Sequence, residues 1–171
     1  MERETLDVDI LVVGAGPAGL SAALRLSQLQ QQQGGEPLTV AVIDKAREAG
    51  AHSLSGALLD PSTLADLMPD FVARGAPLAS EVTNDAVYLL GPAKRYKLPI
   101  TPSPFTNHGN YVISLSHFVK WLAQQAEAAG TDMFMGFAGQ SVLFEGERVV
   151  GVRTGDRGVG RHGTPRGAVE P

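Results

Sequence analysis

Apolar residues in this chain gather in short runs separated by glycine, proline and polar clusters. That spacing reads as strands alternating with helices. Ile10-Leu11-Val12-Val13 has the length and β-branched content of a fully buried parallel strand. It breaks into Gly14-Ala15-Gly16-Pro17-Ala18-Gly19 and then into a helix. Gly14 allows a sharp turn where a Cβ would clash, Gly16 admits a diphosphate against bare main chain, and Gly19 lets the helix lie close on the strand. Pro17 suits the first helical turn, where its missing N–H has no intrahelical partner. Residues 38–43 form a second strand, closed by Asp44, where a carboxylate can accept both hydroxyls of an adenosine ribose. Asp44 lies further along than the usual ~20 residues beyond such a turn. Gln28 to Gln33 explain the excess, lengthening the helix before Gly34-Gly35 stops it. The glycine spacing alone is weak, and would also suit a turn in some other α/β unit. Strand, helix and acid together predict a dinucleotide cradle.

The remaining pattern predicts a capped helix at 60–68, with Asp60 as N-cap, Pro61 in its first turn and Pro69 as its stop. Strands at 86–90 and 95–98 form a hairpin around Gly91-Pro92-Ala93-Lys94, outside the nucleotide unit. Residues 99–110 carry three prolines and read as a stiff extended loop, with no helix and no central strand. Phe105 on that loop either touches a membrane surface or an apolar ligand, or tucks into the core, which the usual burial of Phe favours. A strand at 111–115 leads to Ser116 as cap of a helix over 117–129, with Gly130 as its stop. Phe118, Val119, Leu122, Ala126 and Ala129 mark its packing face, and Trp121 sits at the core edge. Strands follow at 132–137, 140–144 and 148–153, the last two a hairpin through Glu145-Gly146-Glu147. From Thr154 onward the glycine- and arginine-rich text reads as loop or frayed end. Gly158 and Gly160 mimic half a phosphate loop, with neither a strand before them nor a helix after.

Composition narrows the function. The 171 residues are 43% hydrophobic and 19% charged, enough for one core. A net charge of -4 argues against a nucleic-acid surface, which needs clustered Lys and Arg. No apolar run approaches the ~18 residues that cross a bilayer. Met1 stands a few residues before the first strand, and we expect no leader segment and a bacterial-type cytoplasm. Zero cysteines exclude disulfides, thiolate nucleophiles and cysteine-held metal within these residues. His52, His108, His117 and His162 have no ligand spacing, and no metal site is expected. Residues 46–57 are small and polar, so that a flat ligand could approach the backbone while His52, Ser53 and Ser55 offer donors. A plain solvated loop is the alternative. Asp44 disfavours the 2′-phosphate of NADP, an effect softened by Lys45. The nucleotide signature does not choose between NAD and FAD, which share the adenosine diphosphate half.

Four stretches carry a family likeness: Val13 to Leu20, Gly50-Ala-His-Ser-Leu-Ser-Gly-Ala57, Asn107-His-Gly-Asn-Tyr-Val-Ile-Ser114, and Gly151-Val-Arg-Thr-Gly-Asp156 after a Trp-Leu-Ala-Gln-Gln-Ala-Glu-Ala helix. In these the chain resembles the amino-terminal part of the electron transfer flavoprotein-ubiquinone oxidoreductases over nearly its whole length. The resemblance implies an α/β fold: a Rossmann-like FAD-binding βαβ unit, a β-hairpin layer, and an inserted partial substrate-side sheet, as in a truncated two-domain flavoprotein. It implies residues 1–60 and 111–156 as the FAD-binding domain, 61–110 as an inserted quinone-side segment, and 157–171 as a flexible tail.

On the same resemblance FAD receives electrons from reduced electron transfer flavoprotein and passes them to ubiquinone at a membrane face. The parent enzyme would then be peripheral on the cytoplasmic face of the inner membrane. No catalytic side chain is implied, because placing and tuning the flavin is the protein's task. Gly14, Gly16 and Gly19 would hold the diphosphate with Ala15, Pro17 and Ala18 supplying backbone, and Asp44 with Lys45 would meet the ribose. His52, Ser55 and Gly56 would lie toward the flavin. Ser114 stands where relatives often carry an arginine, and its hydroxyl contributes less to a phosphate than a cation does. The family continues into a domain whose cysteines hold a 4Fe-4S cluster. We therefore expect a fragment or truncated product that alone binds FAD poorly and does not turn over. The alternatives are an FAD reductase or monooxygenase of the geranylgeranyl-reductase type and a non-catalytic nucleotide-binding module.

Overall fold

The computed structural model describes residues 4–159 and 165–170. In chain order the elements are β1 (Ile10–Val13), α1 (Pro17–Gln33), β2 (Val40–Asp44), β3 (Gly56–Leu59), α2 (Pro61–Leu67), β4 (Leu78–Glu81), β5 (Tyr88–Leu90) and β6 (Arg95–Lys97). They continue with a 3-10 turn (Ser103–Phe105), β7 (Tyr111–Ser114), α3 (Leu115–Ala128), β8 (Asp132–Met135), β9 (Gly139–Glu145), β10 (Arg148–Thr154), β11 (Arg157–Val159) and β12 (Pro165–Glu170). The fold is mixed α/β, and the chain divides into two units: one holds residues up to Leu54 and from Val119 onward, the other Ser55–Phe118.

In the first unit β1, β2 and β8 form a parallel sheet in the order β1-β2-β8. Parallel neighbours need long crossovers, and α1 supplies the one between β1 and β2. β2 is paired on both sides, so Val40, Ala41, Val42 and Ile43 are all buried. β1 departs from the expected full burial. Among the described residues it is paired only with β2, and Val13 is 57% exposed. Apolar content alone does not distinguish a central strand from an edge. Leu20, Ala23 and Leu24 are buried along α1, as are Val119, Trp121, Leu122 and Ala126 along α3. Trp121 is thus core rather than core edge. Leu122 is 1% exposed, and Leu122→Ala is expected to destabilise the chain by about 2–5 kcal/mol, read as a lower urea midpoint at unchanged slope.

The glutamine-rich segment does extend α1, and Gln31 Nε2 donates to the Ala129 carbonyl at 3.1 Å. The buried Ser27 and Thr131 hydroxyls satisfy each other at 3.0 Å. The third parallel strand stops at Met135, two residues short of expectation, because Gly136 turns the chain at φ +84. β9 and β10 form the expected antiparallel hairpin, turned at Gly146 with φ +63. Where a loop or frayed end is expected from Thr154 onward, β11 and β12 pair antiparallel, Arg157 opposite Glu170 and Val159 opposite Pro165. Short strands pair through their backbones without needing an apolar pattern. Gly158 therefore belongs to a strand, and Gly160 lies outside the described residues.

In the second unit β7 is the centre of an antiparallel sheet, order β3-β7-β4. Both β3 and β7 belong here, so this unit is wider than the expected insertion at 61–110. Asp60 caps α2 as expected: its Oδ1 accepts from the Ser62 hydroxyl at 2.6 Å and from the Ser62 N–H at 2.9 Å. Those bonds, the hydroxyl's first, hold the Asp60 carboxyl below its ordinary pKa. β5 and β6 form the expected hairpin, with Arg95 over the Tyr88 ring at 5.1 Å. The proline-rich loop contains one 3-10 turn, which tolerates Pro104 where a long helix would not. Asp85 fastens the loop: its Oδ2 accepts the Asn107 N–H at 2.8 Å. Phe105 is 57% exposed, against the expected core position. Ser116 lies inside the first turn of α3 rather than capping it, with its hydroxyl 3.1 Å from that of Ser114.

Candidate functional site

The site is built at the C-terminal ends of the parallel strands, the usual binding edge of an open α/β sheet. After β1 the Gly14 N–H donates to the Ile43 carbonyl at 2.8 Å, and the backbone turns at φ +113, a conformation that favours glycine. Gly16 is the N-cap of α1 with ordinary extended dihedrals, and the Leu20 N–H donates to its carbonyl at 3.0 Å. Pro17 has no N–H, and the Ala18 and Gly19 N–H groups are first-turn donors without intrahelical acceptors. A helix start of this kind favours an anion.

The glycines differ in what they are for. A Cβ on Gly19 would overlap the Gly14 carbonyl oxygen and stand 3.2 Å from Val12 Cγ1, so Gly19 lets α1 close on the strand. A Cβ on Gly16 would meet no heavy atom within 4 Å. No protein neighbour requires Gly16 to be small; an open cradle that a side chain would fill fits a diphosphate.

Asp44, half-buried at the end of β2, faces this turn. Its Oδ2 accepts the Ala15 N–H at 2.8 Å and its Oδ1 accepts the Ala46 N–H at 2.7 Å. The Ala15 N–H is therefore taken by the acid, which leaves the Gly16, Ala18 and Gly19 N–H groups as the donors of this turn. Two cavities adjoin, both lined by Asp44 and Lys45. One, of about 200 Å³, is walled by Val13, Gly14, Ile43, Phe137, Ala138 and Gly139; the other, of about 150 Å³, by Ala15, Gly16, Ala46, Gly50, His52 and Ser53. An apolar slot, a carboxylate and a helix start beside bare glycine form the donor and acceptor set that an adenosine diphosphate group needs.

Gly14, Ala15, Gly16, Asp44, Lys45 and His52 of the expected site residues are thus gathered in the first unit, with Pro17, Ala18 and Gly19 in the adjoining first turn of α1. Ser55, Gly56 and Ser114 lie in the second unit, where Gly56 stands opposite Ser114 in the β3–β7 pair. Sequence reading missed Ala46 and the wall at Phe137–Gly139. The available signal was Gly139, whose added Cβ would stand 3.2 Å from Val13 Cγ1 and 3.4 Å from Val152 Cγ1. Among the described residues no group of three or more His, Cys, Asp or Glu could hold a metal ion.

Comparison with known proteins gives this arrangement its class. Residues 9–91 match the profile of the family described as FAD dependent oxidoreductase. The structure resembles that of a geranylgeranyl bacteriochlorophyll reductase-like protein from Thermoplasma acidophilum, with a TM-score of 0.62 and 26% identity over 86% of this chain and 34% of that one. The myxobacterial chondrochloren halogenase, described as a variant of FAD-dependent halogenases, shares the fold at TM-score 0.60 and 22% identity, over 92% of this chain and 34% of that one. The fold is that of the FAD-dependent oxidoreductases, and residues 9–91 carry that family's profile.

Within that class, the mouse mitochondrial electron transfer flavoprotein-ubiquinone oxidoreductase is 45% identical over 99% of this chain and 28% of its own length. Its counterpart from Pseudomonas aeruginosa is 47% identical over 97% of this chain and 31% of its own. Over the stretch it spans, the chain is homologous to the electron transfer flavoprotein-ubiquinone oxidoreductases. It covers less than a third of the length of these relatives.

Proposed function

We propose that the complete protein containing this stretch is an FAD enzyme that carries electrons from reduced electron transfer flavoprotein to ubiquinone, and that this stretch supplies the adenosine diphosphate end of its cofactor site. The observation that carries the reading is 45% identity to an electron transfer flavoprotein-ubiquinone oxidoreductase across almost the whole chain, with the Gly16 cradle open at its expected place. Bound FAD would supply the redox chemistry. The chain's own residues bind and orient. Gly16, Ala18 and Gly19 present backbone to the diphosphate, Asp44 has acceptor capacity left for the two ribose hydroxyls, and the apolar cavity at Ile43, Phe137 and Gly139 takes the adenine ring and keeps water from it. Lys45 borders both cavities, and its cation offsets phosphate charge. His52 extends this lining toward the rest of the cofactor, and Ser55, Gly56 and Ser114 are assigned to the flavin end on family likeness alone.

The second unit is the proposed quinone side. Leu90, Ile100 and Phe105 are 83%, 76% and 57% exposed there, apolar surface of the kind that meets a lipid tail or a membrane. Among the described residues no helix is long and apolar enough to cross a membrane. On family likeness the complete protein is assigned a peripheral contact, on the cytoplasmic face of a bacterial inner membrane. A 4Fe-4S cluster needs ligands that a chain with no cysteine does not supply, and belongs to another part of the protein.

A geranylgeranyl-reductase type of activity is the second reading, favoured by one fold neighbour at 26% identity. The two separate in one assay. The complete protein, purified with FAD, is expected to reoxidise reduced electron transfer flavoprotein only when a ubiquinone analogue is present. Oxidation of NADPH without quinone supports the second reading instead, and uptake of NAD(H) with no uptake of FAD supports a non-catalytic module. The 171-residue chain alone is expected to turn over neither substrate.

A further inference from the structure

The hydrogen bonds of Asp44 reach further than its own loop. Its two oxygens hold the Ala15 and Ala46 N–H groups at 2.8 and 2.7 Å, and the Ala46 carbonyl accepts the Gly136 N–H at 2.7 Å. Ala15 follows β1, Ala46 follows β2 and Gly136 follows β8, so one carboxylate and the backbone N–H and C=O of one residue, Ala46, join the C-terminal ends of all three parallel strands. Ala15 and Ala46 are buried, at 4% and 5% exposure, which keeps water from replacing these bonds. An ionised carboxylate offers about four acceptor positions. Two are used by the amides, and one on each oxygen remains for a ligand diol.

We propose that Asp44 is a positioning residue as well as a ribose ligand: before any cofactor arrives, it ties the three strand ends together and so fixes both the glycine turn and the wall of the apolar cavity. The ribose half of that statement rests on the proposed function; the tie does not. Asparagine cannot replace the acid in this task, because it would turn an N–H₂ group toward one of the two backbone N–H donors. Glutamate keeps the charge and moves it by one methylene, which spoils the fit to two fixed amides.

The test is amide hydrogen exchange on the ¹⁵N-labelled 171-residue chain without ligand, compared with Asp44→Asn, Asp44→Glu and Asp9→Asn. Asp9 is the control, because its Oδ2 accepts the Thr39 N–H at 2.7 Å at the opposite end of β1 and β2. Both Asp44 variants are expected to exchange about tenfold or more faster at Ala15, Ala46 and Gly136, the scale set by losing a hydrogen bond to a charged group. Asp9→Asn should change Thr39 alone. Should Asp44→Asn not fold, Asp44→Glu carries the test.

Inorganic pyrophosphate, titrated into the same samples, gives a readout without a ribose. Removing a negative charge favours the anion, whereas a loosened turn disfavours it, and weaker binding to Asp44→Asn is expected. A Gly136 amide unaffected in the Asp44 variants, or tighter pyrophosphate binding, overturns the proposal. If the complete protein fails to bind FAD while the exchange pattern holds, the ribose assignment falls and the tie stands.

Discussion

Gly16→Val in the complete protein is expected to leave the melting temperature of the apoprotein unchanged and to weaken FAD binding by at least about 100-fold, or about 2.7 kcal/mol. The two halves of that result have separate causes. Gly16 has φ -83 and ψ 177, extended dihedrals that a β-branched residue adopts without strain, and its new Cβ touches no heavy atom within 4 Å. The fold therefore does not resist the substitution. The cradle does, because the isopropyl group would occupy the space where, on the proposed function, the diphosphate approaches the backbone. Fluorescence titration with FAD beside thermal unfolding of the apoprotein measures both. Unchanged affinity in a folded variant would remove the diphosphate from this turn.

Gly19→Ala, three residues on, is expected to act the other way. One methyl group overlaps the Gly14 carbonyl oxygen, and Val12 Cγ1 stands 3.2 Å away. Backbone cannot rotate aside as a side-chain tip can, so α1 must lift from β1, at a cost of about 3 kcal/mol in the upper range of overpacking. A lower urea midpoint at constant slope is the measurement. A midpoint equal to that of the parent would mean that helix and strand are less tightly seated than the structure has them. Two glycines of one motif thus separate into a proposed binding position and a packing position.

Much of this was legible beforehand because the deciding features are local. Gly14's turn, Pro17 in the first helical turn, the Asp60 cap and the Gly146 hairpin each follow from the covalent nature of one or two residues. Asp44 was legible as an acid at a strand tip. What it bonds to was not, since the Ala15 and Ala46 amides look like any others in the text and only the fold brings Ala15 within 2.8 Å of it. The partial exposure of β1 was hidden for a similar reason: Ile-Leu-Val-Val is equally apolar at a centre or at an edge, and pairing decides. Phe105 misled because burial statistics describe residues free to turn inward, whereas a proline loop fastened at Asp85 and Asn107 is not. The β11–β12 pair was illegible because backbone pairing leaves no mark in glycine-rich sequence. The Ser114 departure has no counterpart contact that explains it beyond its bond to Ser116.

The run of glutamines at the far end of α1 bears on how relatives of this chain are recognised. Each extra helical residue adds about 1.5 Å along the axis, at the end remote from the nucleotide edge. The interval between turn and acid, counted in residues, can therefore drift by a turn or two of helix while their meeting in space stays fixed. A search that insists on a set interval would pass over such a chain, and one that asks for an acid returning to a glycine corner would find it.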